Sequence, residues 1–222
     1  MNKLKTLNDL CRGIDKHWIW GGKQKYYQSQ NYLRKIEYCI HDLNVELEKL
    51  DEPSMKEVIY IIVQIDWICK AVEEIYENLL VEIKKGYICR MNDEIMQAQK
   101  FFKAVRSFVV AHPLSTERHK EYGFDGDLIC VDIRKRTSEL TRSCTLNWFH
   151  LDIEGLKENV NNRDSDFVLY IHSKKEKQPQ FFEYVGMNFF DLYRVAELQI
   201  EKLYDLDRYL AKLKKKDFEV SI

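Results

Sequence analysis

The feature that most constrains this chain is a helical repeat of apolar residues, strongest over residues 55–85. Apolar residues there recur at steps of three and four, which places them on one wide face of a helix. Lys84 and Lys85 precede Gly86, a combination typical of a helix end. The segment therefore predicts a long amphipathic helix whose apolar face other elements must cover. That face comprises Val58, Ile61, Ile62, Ile65, Ile68, Cys69, Val72, Ile75, Leu79 and Ile83.

Three further segments carry the same period: residues 24–50, a helix from an N-cap at Asn92 to just before Pro113, and residues 187–214. Gln199 interrupts the last stripe. Four long amphipathic helices predict a mainly α fold, a bundle of four to five helices. The first twenty residues are expected to add a short helix and a cap over one end. The three stripes are Leu33, Ile36, Ile40, Leu43, Leu47 and Leu50; Ile95, Ala98, Phe102, Val105 and Val109; and Phe189, Leu192, Ala196, Leu203, Leu206, Leu210 and Leu213.

Residues 114–186 differ in pattern and predict a small β-rich insertion between the third and fourth long helices. The stretches "DLICVDIRKR" and "DFVLYIHSKK" are β-branched and partly alternating, which predicts strands, and "CTLNWFHL" is a candidate third strand. The stretch "DIEGLKENV" is a candidate short helix. The insertion is too short to be independent, so residues 1–222 are interpreted as one domain.

Composition limits the classes of function. The 222 residues have a formal net charge of −1, so any contact with a polyanion must come from a local basic patch. The six cysteines form no C-x-x-C pair and several fall on apolar helical stripes, which favours buried, reduced thiols and a cytoplasmic location. No signal peptide and no run of 18 apolar residues occurs, so no membrane association is predicted.

The stretch "AVRSFVVAHPLSTERH" places Arg106, Ser107 and His112 at the end of the third helix. One interpretation is structural, because His112 follows Val109 by three residues and continues the apolar stripe. A separation of six residues also turns about 240° on an ideal helix, so Arg106 and His112 would not share a face. However, Pro113 disfavours helical geometry at His112, and a two-fold partner could bring both helix ends together.

This stretch resembles the R-x4-6-H motif of HEPN-domain proteins, with five residues between Arg106 and His112 and a polar Ser107 after the arginine, where the family usually has Asn. The order of helices around it is also similar to that family. The resemblance implies a HEPN-like bundle acting as a homodimer, with metal-independent ribonuclease activity at the dimer interface. Many members are toxins or phage-defence ribonucleases.

The resemblance assigns roles that suit the chemistry of these side chains. His112 would move protons near neutral pH, and Arg106 would stabilise the negative charge of the transition state, with Ser107 in support. An antitoxin or a nucleotidyltransferase is the partner protein that it implies. Some family toxins are modified on a tyrosine two residues after the histidine. Leu114 stands there, so that modification is not predicted.

Basic residues outside the motif are candidates for binding the RNA backbone, because phosphate contacts dominate the affinity for nucleic acid. A solvated loop or hairpin face is the competing interpretation. Asp125 and Asp127 in "FDGD" indicate a turn rather than a metal loop, and no metal or cofactor is predicted. The candidate RNA-binding residues are Arg118, His119, Arg134, Arg136, Lys174 and Lys175.

Two other classes of function stay open from the sequence. One is a non-catalytic HEPN-fold module that binds a nucleotide, an RNA or a protein. The other is a purely structural helical protein. If Arg106 and His112 lay in a dry core, the structural class would be favoured. An open basic cleft would favour RNA cleavage or binding.

Overall fold

The computed structural model describes residues 1–50, 53–111, 128–132, 141–143, 166–172 and 182–217. Its longer helices are α1 (Lys23–Glu46), α2 (Met55–Glu77), α3 (Val81–Gly86), α4 (Asn92–Arg106) and α5 (Phe189–Lys212). A 3-10 turn over Leu47–Lys49 continues α1, and a π-helical turn over Ser107–Ala111 continues α4. The strands are β1 (Leu128–Asp132), β2 (Thr141–Ser143), β3 (Phe167–His172) and β4 (Phe182–Met187).

The mainly helical class is confirmed, and the predicted apolar stripes form the core. The stripe of α4 and nearly all of the stripe of α2 are buried, with Cys69 and the stripe ends Leu33, Leu47, Leu50 and Leu213 only partly buried. Gln199, which interrupts the stripe of α5, is itself buried at 1% exposure. Among the described residues, none of the helices combines the length and apolar composition that crossing a bilayer requires.

The continuous helix predicted over residues 55–85 is wrong near its C-terminal end, because α2 ends at Glu77 and α3 begins at Val81. Backbone pairing with the N-terminal segment replaces the helical hydrogen bonds there. The Gly21 amide donates to the Asn78 carbonyl and the Leu80 amide donates to the Ile19 carbonyl, each at 3.0 Å. The apolar residues keep their helical spacing through residues 78–80, but backbone hydrogen bonds to residues 19–21 end the helix there.

The start of α2 follows local rules, whereas the start of α4 does not. Ser54 and Glu57 form a capping box in which each side chain accepts from the other residue's backbone amide. The predicted N-cap at Asn92 is wrong by one residue, because Asn92 is the first helical residue and Met91 holds the N-cap position without a side-chain cap. Such one-residue differences at helix ends are common.

The N-terminal segment caps the bundle, as predicted, although it does so with 3-10 turns over Leu7–Asp9, Gly13–Asp15 and His17–Ile19. The buried carboxylate of Asp207 on α5 accepts hydrogen bonds from the backbone amides of Cys11 and Ile14. Lys16 Nζ donates to three carbonyls at the end of α5 at 2.8–2.9 Å. These bonds satisfy helix-end carbonyls that otherwise lack partners.

The β-rich insertion lies between α4 and α5, as predicted, and its described strands form one sheet in the order β1-β3-β4-β2. The β1–β3 and β3–β4 pairs are antiparallel, whereas β2 and β4 are parallel. Two predicted strands contain β1 and β3, but β2 and β4 were not predicted. The candidate strand over residues 144–151 and the candidate helix over 152–160 lie outside the described residues.

Candidate functional site

Arg106 is the last residue of α4, and the backbone changes character directly after it. Ser107–Ala111 form a π-helical turn in which Ser107, Phe108 and Val109 are buried and Ala111 is exposed. A π turn advances less around the axis per residue than an α turn, because its hydrogen bonds span five residues. The regular α-helical geometry on which the expected angle of about 240° rests therefore ends at Arg106.

The Arg106 side chain lies at the surface and bridges two helices. Its Nε lies 3.1 Å from Oδ2 of Asp66 on α2, with the two side chains 43% and 21% exposed, respectively. An ion pair of this exposure contributes little to stability, so its main effect is to orient the guanidinium. Guanidinium groups carry four more N–H donors on their terminal nitrogens, suited to phosphate oxygens. Arg106 is thus oriented without being buried in a dry core.

Lys70 links this pair to further cations, because its charge interacts with Asp66, Arg106 and Glu73, and Glu73 also interacts with Lys103 and Lys202. We call these four cations the cationic band: Lys70 on α2, Lys103 and Arg106 on α4, and Lys202 on α5. Lys70 Nζ lies 2.8 Å from Glu73 Oε2. That hydrogen bond is the main reason why the pKa of Glu73 is lowered, and the charges of Lys103 and Lys202 lower it further. The band therefore interleaves its cations with the carboxylates of Asp66 and Glu73.

The structure brings together only part of the predicted site. Arg106 and Ser107 are adjacent, but Ser107 is 7% exposed and is therefore placed to support the helix end rather than to meet a large ligand. His112 lies outside the described residues, as do all the predicted RNA-binding residues: Arg118, His119, Arg134, Arg136, Lys174 and Lys175. The described part of the chain contains no cluster of potential metal ligands. Asp125 and Asp127 are outside that part.

Sequence reasoning missed Asp66, Lys70, Lys103 and Lys202. Asp66 and Lys70 lie four residues apart on the polar side of α2, a spacing that puts them on one face. The spacing of Asp66 and Lys70 indicates a charged face of α2, but it does not indicate that Arg106 contacts this face. Only packing shows that the end of α4 lies against this face.

The cysteines whose side chains are described, Cys11, Cys39, Cys69 and Cys89, are free thiols that differ in exposure. Cys39 is buried, and burial raises the pKa of its thiol to about 11. Cys11 is exposed, contrary to the expectation of buried thiols. Because the thiolate is the reactive form, these two residues should differ strongly in labelling rate.

We expect a thiol reagent at neutral pH to modify Cys11 in the folded protein and to modify Cys39 only on unfolding. Peptide mapping by mass spectrometry at successive times measures both rates. A Cys11→Ser variant, which should lose the fast-labelled peptide, serves as the control. Equal rates for Cys11 and Cys39 in the folded protein would contradict the burial of Cys39.

Comparisons with protein-family models, with curated proteins and with solved structures found no match. The site is therefore interpreted from its own geometry and from the motif.

Proposed function

We propose that the protein is a metal-independent endoribonuclease with a HEPN-like bundle, acting as a homodimer in the cytoplasm in a toxin–antitoxin or phage-defence setting. The observation that carries this proposal is the position of Arg106. It is oriented by Asp66, is 43% exposed, and lies at the end of a core helix, six residues before His112 in the sequence. The free thiols of the described cysteines support the cytoplasmic location.

The proposed reaction is an attack of a ribose 2′-hydroxyl oxygen on the adjacent phosphorus. The P–O5′ bond breaks, leaving a 2′,3′-cyclic phosphate and a 5′-hydroxyl end. His112 would take the 2′-hydroxyl proton and return a proton to the leaving oxygen, since imidazole is the side chain that ordinarily exchanges protons near neutral pH. Arg106 would stabilise the extra negative charge on the phosphate oxygens. Ser107 would hold the helix end that positions Arg106.

The cationic band supports RNA as the ligand of this site. It extends from Arg106 across α2 and α5, so a chain of phosphates bound at Arg106 would meet further positive groups. Such contacts position a nucleic acid without selecting a sequence. The exposure of Arg106 also counts against the purely structural class, which requires this side chain to be buried.

A non-catalytic module that binds a nucleotide, an RNA or a protein is the second candidate. The ion pair with Asp66 favours it, because a neighbouring carboxylate reduces the positive charge that Arg106 can offer to a transition state. A non-catalytic module would bind its ligand through the same residues without cleaving RNA. An assay for new RNA ends therefore distinguishes this module from the ribonuclease.

The test is expression in a bacterial host of the wild type and of His112→Ala and Arg106→Ala. We expect the wild type to arrest growth and to produce new RNA ends carrying 2′,3′-cyclic phosphates, and both variants to do neither. Arg194→Ala is the matched control, because Arg194 is also a partly exposed, ion-paired arginine but lies on α5 beside Glu94 and Glu197.

Purified protein completes the test. Cleavage should continue in the presence of a chelator, because no metal takes part in the proposed reaction. Binding of RNA by the wild type without new ends, both in cells and with purified protein, would contradict the ribonuclease and favour the binding module.

A further inference from the structure

The outer face of the α1–α2 pair exposes large side chains that none of the other described elements covers. Tyr38 on α1 is 68% exposed, and Tyr60 and Trp67 on α2 are 37% and 41% exposed. Val45 adds to the same side of α1 at 40% exposure. Exposed aromatic residues grouped on one face are typical of interaction surfaces.

Two contacts across the α1–α2 seam give this face a direction. Lys35 Nζ lies 3.3 Å from the ring centroid of Trp67, and the Tyr60 hydroxyl donates to Asp42 Oδ2 at 2.7 Å. The helices are therefore antiparallel, with Lys35 and Trp67 at one end of the seam and Asp42 and Tyr60 at the other. A cation and an anion thus lie two helical turns apart along α1.

The residues midway between these two ends lie side by side on α1 and α2. Tyr38 lies midway between Lys35 and Asp42 on α1, and the partly buried Val63 lies midway between Tyr60 and Trp67 on α2. A two-fold axis that runs across both helices at this level would exchange the two ends. Lys35 of each copy would then face Asp42 of the other.

We propose that the α1–α2 face binds a second copy of this chain around that two-fold axis. Tyr38 would pack against Tyr38 of the second copy, and Trp67 against Tyr60. Each ionic contact is repeated by symmetry, because an isologous interface pairs a patch with itself. Asp42 can keep its bond from Tyr60 while accepting from the incoming lysine, since a carboxylate offers about four acceptor sites.

The size of the face fits a stable dimer. Helices of 23 and 24 residues are about 36 Å long, and a pair of them is about 20 Å wide. That gives a footprint of roughly 700 Å², close to the roughly 800 Å² per partner of a standard interface.

This assembly would also bring the two Arg106 side chains to the same edge of the interface. Asp66, which holds Arg106, lies between two and three residues from the midpoint of α2. At about 1.5 Å per residue, the Asp66 residues of the two copies would lie only about 8 Å apart along the direction of the helices. The α1–α2 face would thus be the interface of the homodimer in the proposed function, on which this assignment rests, but its formation does not require RNA cleavage.

Charge exchange tests the interface. We expect the wild type to be a dimer in analytical ultracentrifugation at micromolar concentrations. Lys35→Asp and Asp42→Lys should each raise the dimer dissociation constant by about tenfold or more, because like charges then meet twice. The double variant Lys35→Asp/Asp42→Lys should restore the dimer. Tyr38→Ser should weaken it without affecting the fold, because its side chain is already exposed in one copy.

Lys100→Asp, at an exposed position on α4, is the control and should leave the dissociation constant unchanged. Circular dichroism of each variant establishes that it is folded. A monomeric wild type, or a double variant that dimerises no better than the single ones, would overturn the inference. Dimerisation without RNA cleavage would leave it intact and count only against the ribonuclease.

Discussion

Replacing Gly13 with alanine is expected to destabilise the protein by about 3 kcal/mol, the upper part of the usual range for overpacking a filled interior. A Cβ at Gly13 would overlap the backbone nitrogen of Ala211 and the backbone carbonyl of Asp207, and would lie 2.9 Å from Ala211 Cα. These are backbone atoms of α5, which cannot move aside as a flexible side chain can. The N-terminal segment would therefore be pushed away from α5.

Loss of that contact removes more than packing. The buried Asp207 carboxylate would lose the hydrogen bonds that it accepts from the backbone amides of Cys11 and Ile14. A buried charge without hydrogen-bond partners is costly. The measurement is thermal unfolding, in which about 3 kcal/mol corresponds to a melting temperature lower by about 6–12 °C. Limited proteolysis should also cleave the variant within its N-terminal segment.

Gly21→Ala is the matched control, because its added Cβ would lie 3.1 Å from the flexible Lys25 side chain and 3.6 Å, an ordinary contact distance, from the Asn78 carbonyl oxygen. We expect its melting temperature to stay within a few degrees of the wild type. If Gly13→Ala melted at the same temperature as Gly21→Ala, the close approach of the N-terminal segment to α5 would be wrong.

Replacing Arg106 with alanine is expected to lower the rate of RNA cleavage by at least about 100-fold, the typical effect of removing a donor that stabilises a transition-state charge. The fold should be unaffected, because the side chain is 43% exposed and its ion pair contributes little to stability. Single-turnover cleavage of a labelled RNA measures the rate.

Two related variants test the role of the guanidinium. Arg106→Lys keeps the charge but loses the planar fork, so its rate should fall between those of the wild type and Arg106→Ala. Asp66→Asn should change the rate by less than about tenfold, since a surface ion pair contributes at most about 1 kcal/mol. If Arg106→Ala cleaved as fast as the control Arg194→Ala, Arg106 would have no part in the reaction.

Prediction from the sequence reached furthest where the signal is local and periodic. The stripes of α2 and α4 are buried nearly as predicted, because a helix with one apolar face can hide it only by packing that face inward. The Ser54–Glu57 capping box lies within four residues, so the start of α2 also follows from its own sequence. For the candidate site, the motif identified Arg106 as a helix-end residue for the same reason.

The tertiary structure decided the features that depend on residues far apart in the chain. The break at residues 78–80 arises because residues 19–21 supply backbone partners there, which no helical period reveals. Asp66 meets Arg106 only because the end of α4 packs against α2, 40 residues away in sequence. The sequence by itself thus determined which faces are buried, through hydrophobicity at helical spacing. Packing alone decided which helices meet and which charges become neighbours, because those contacts depend on the geometry of the whole bundle.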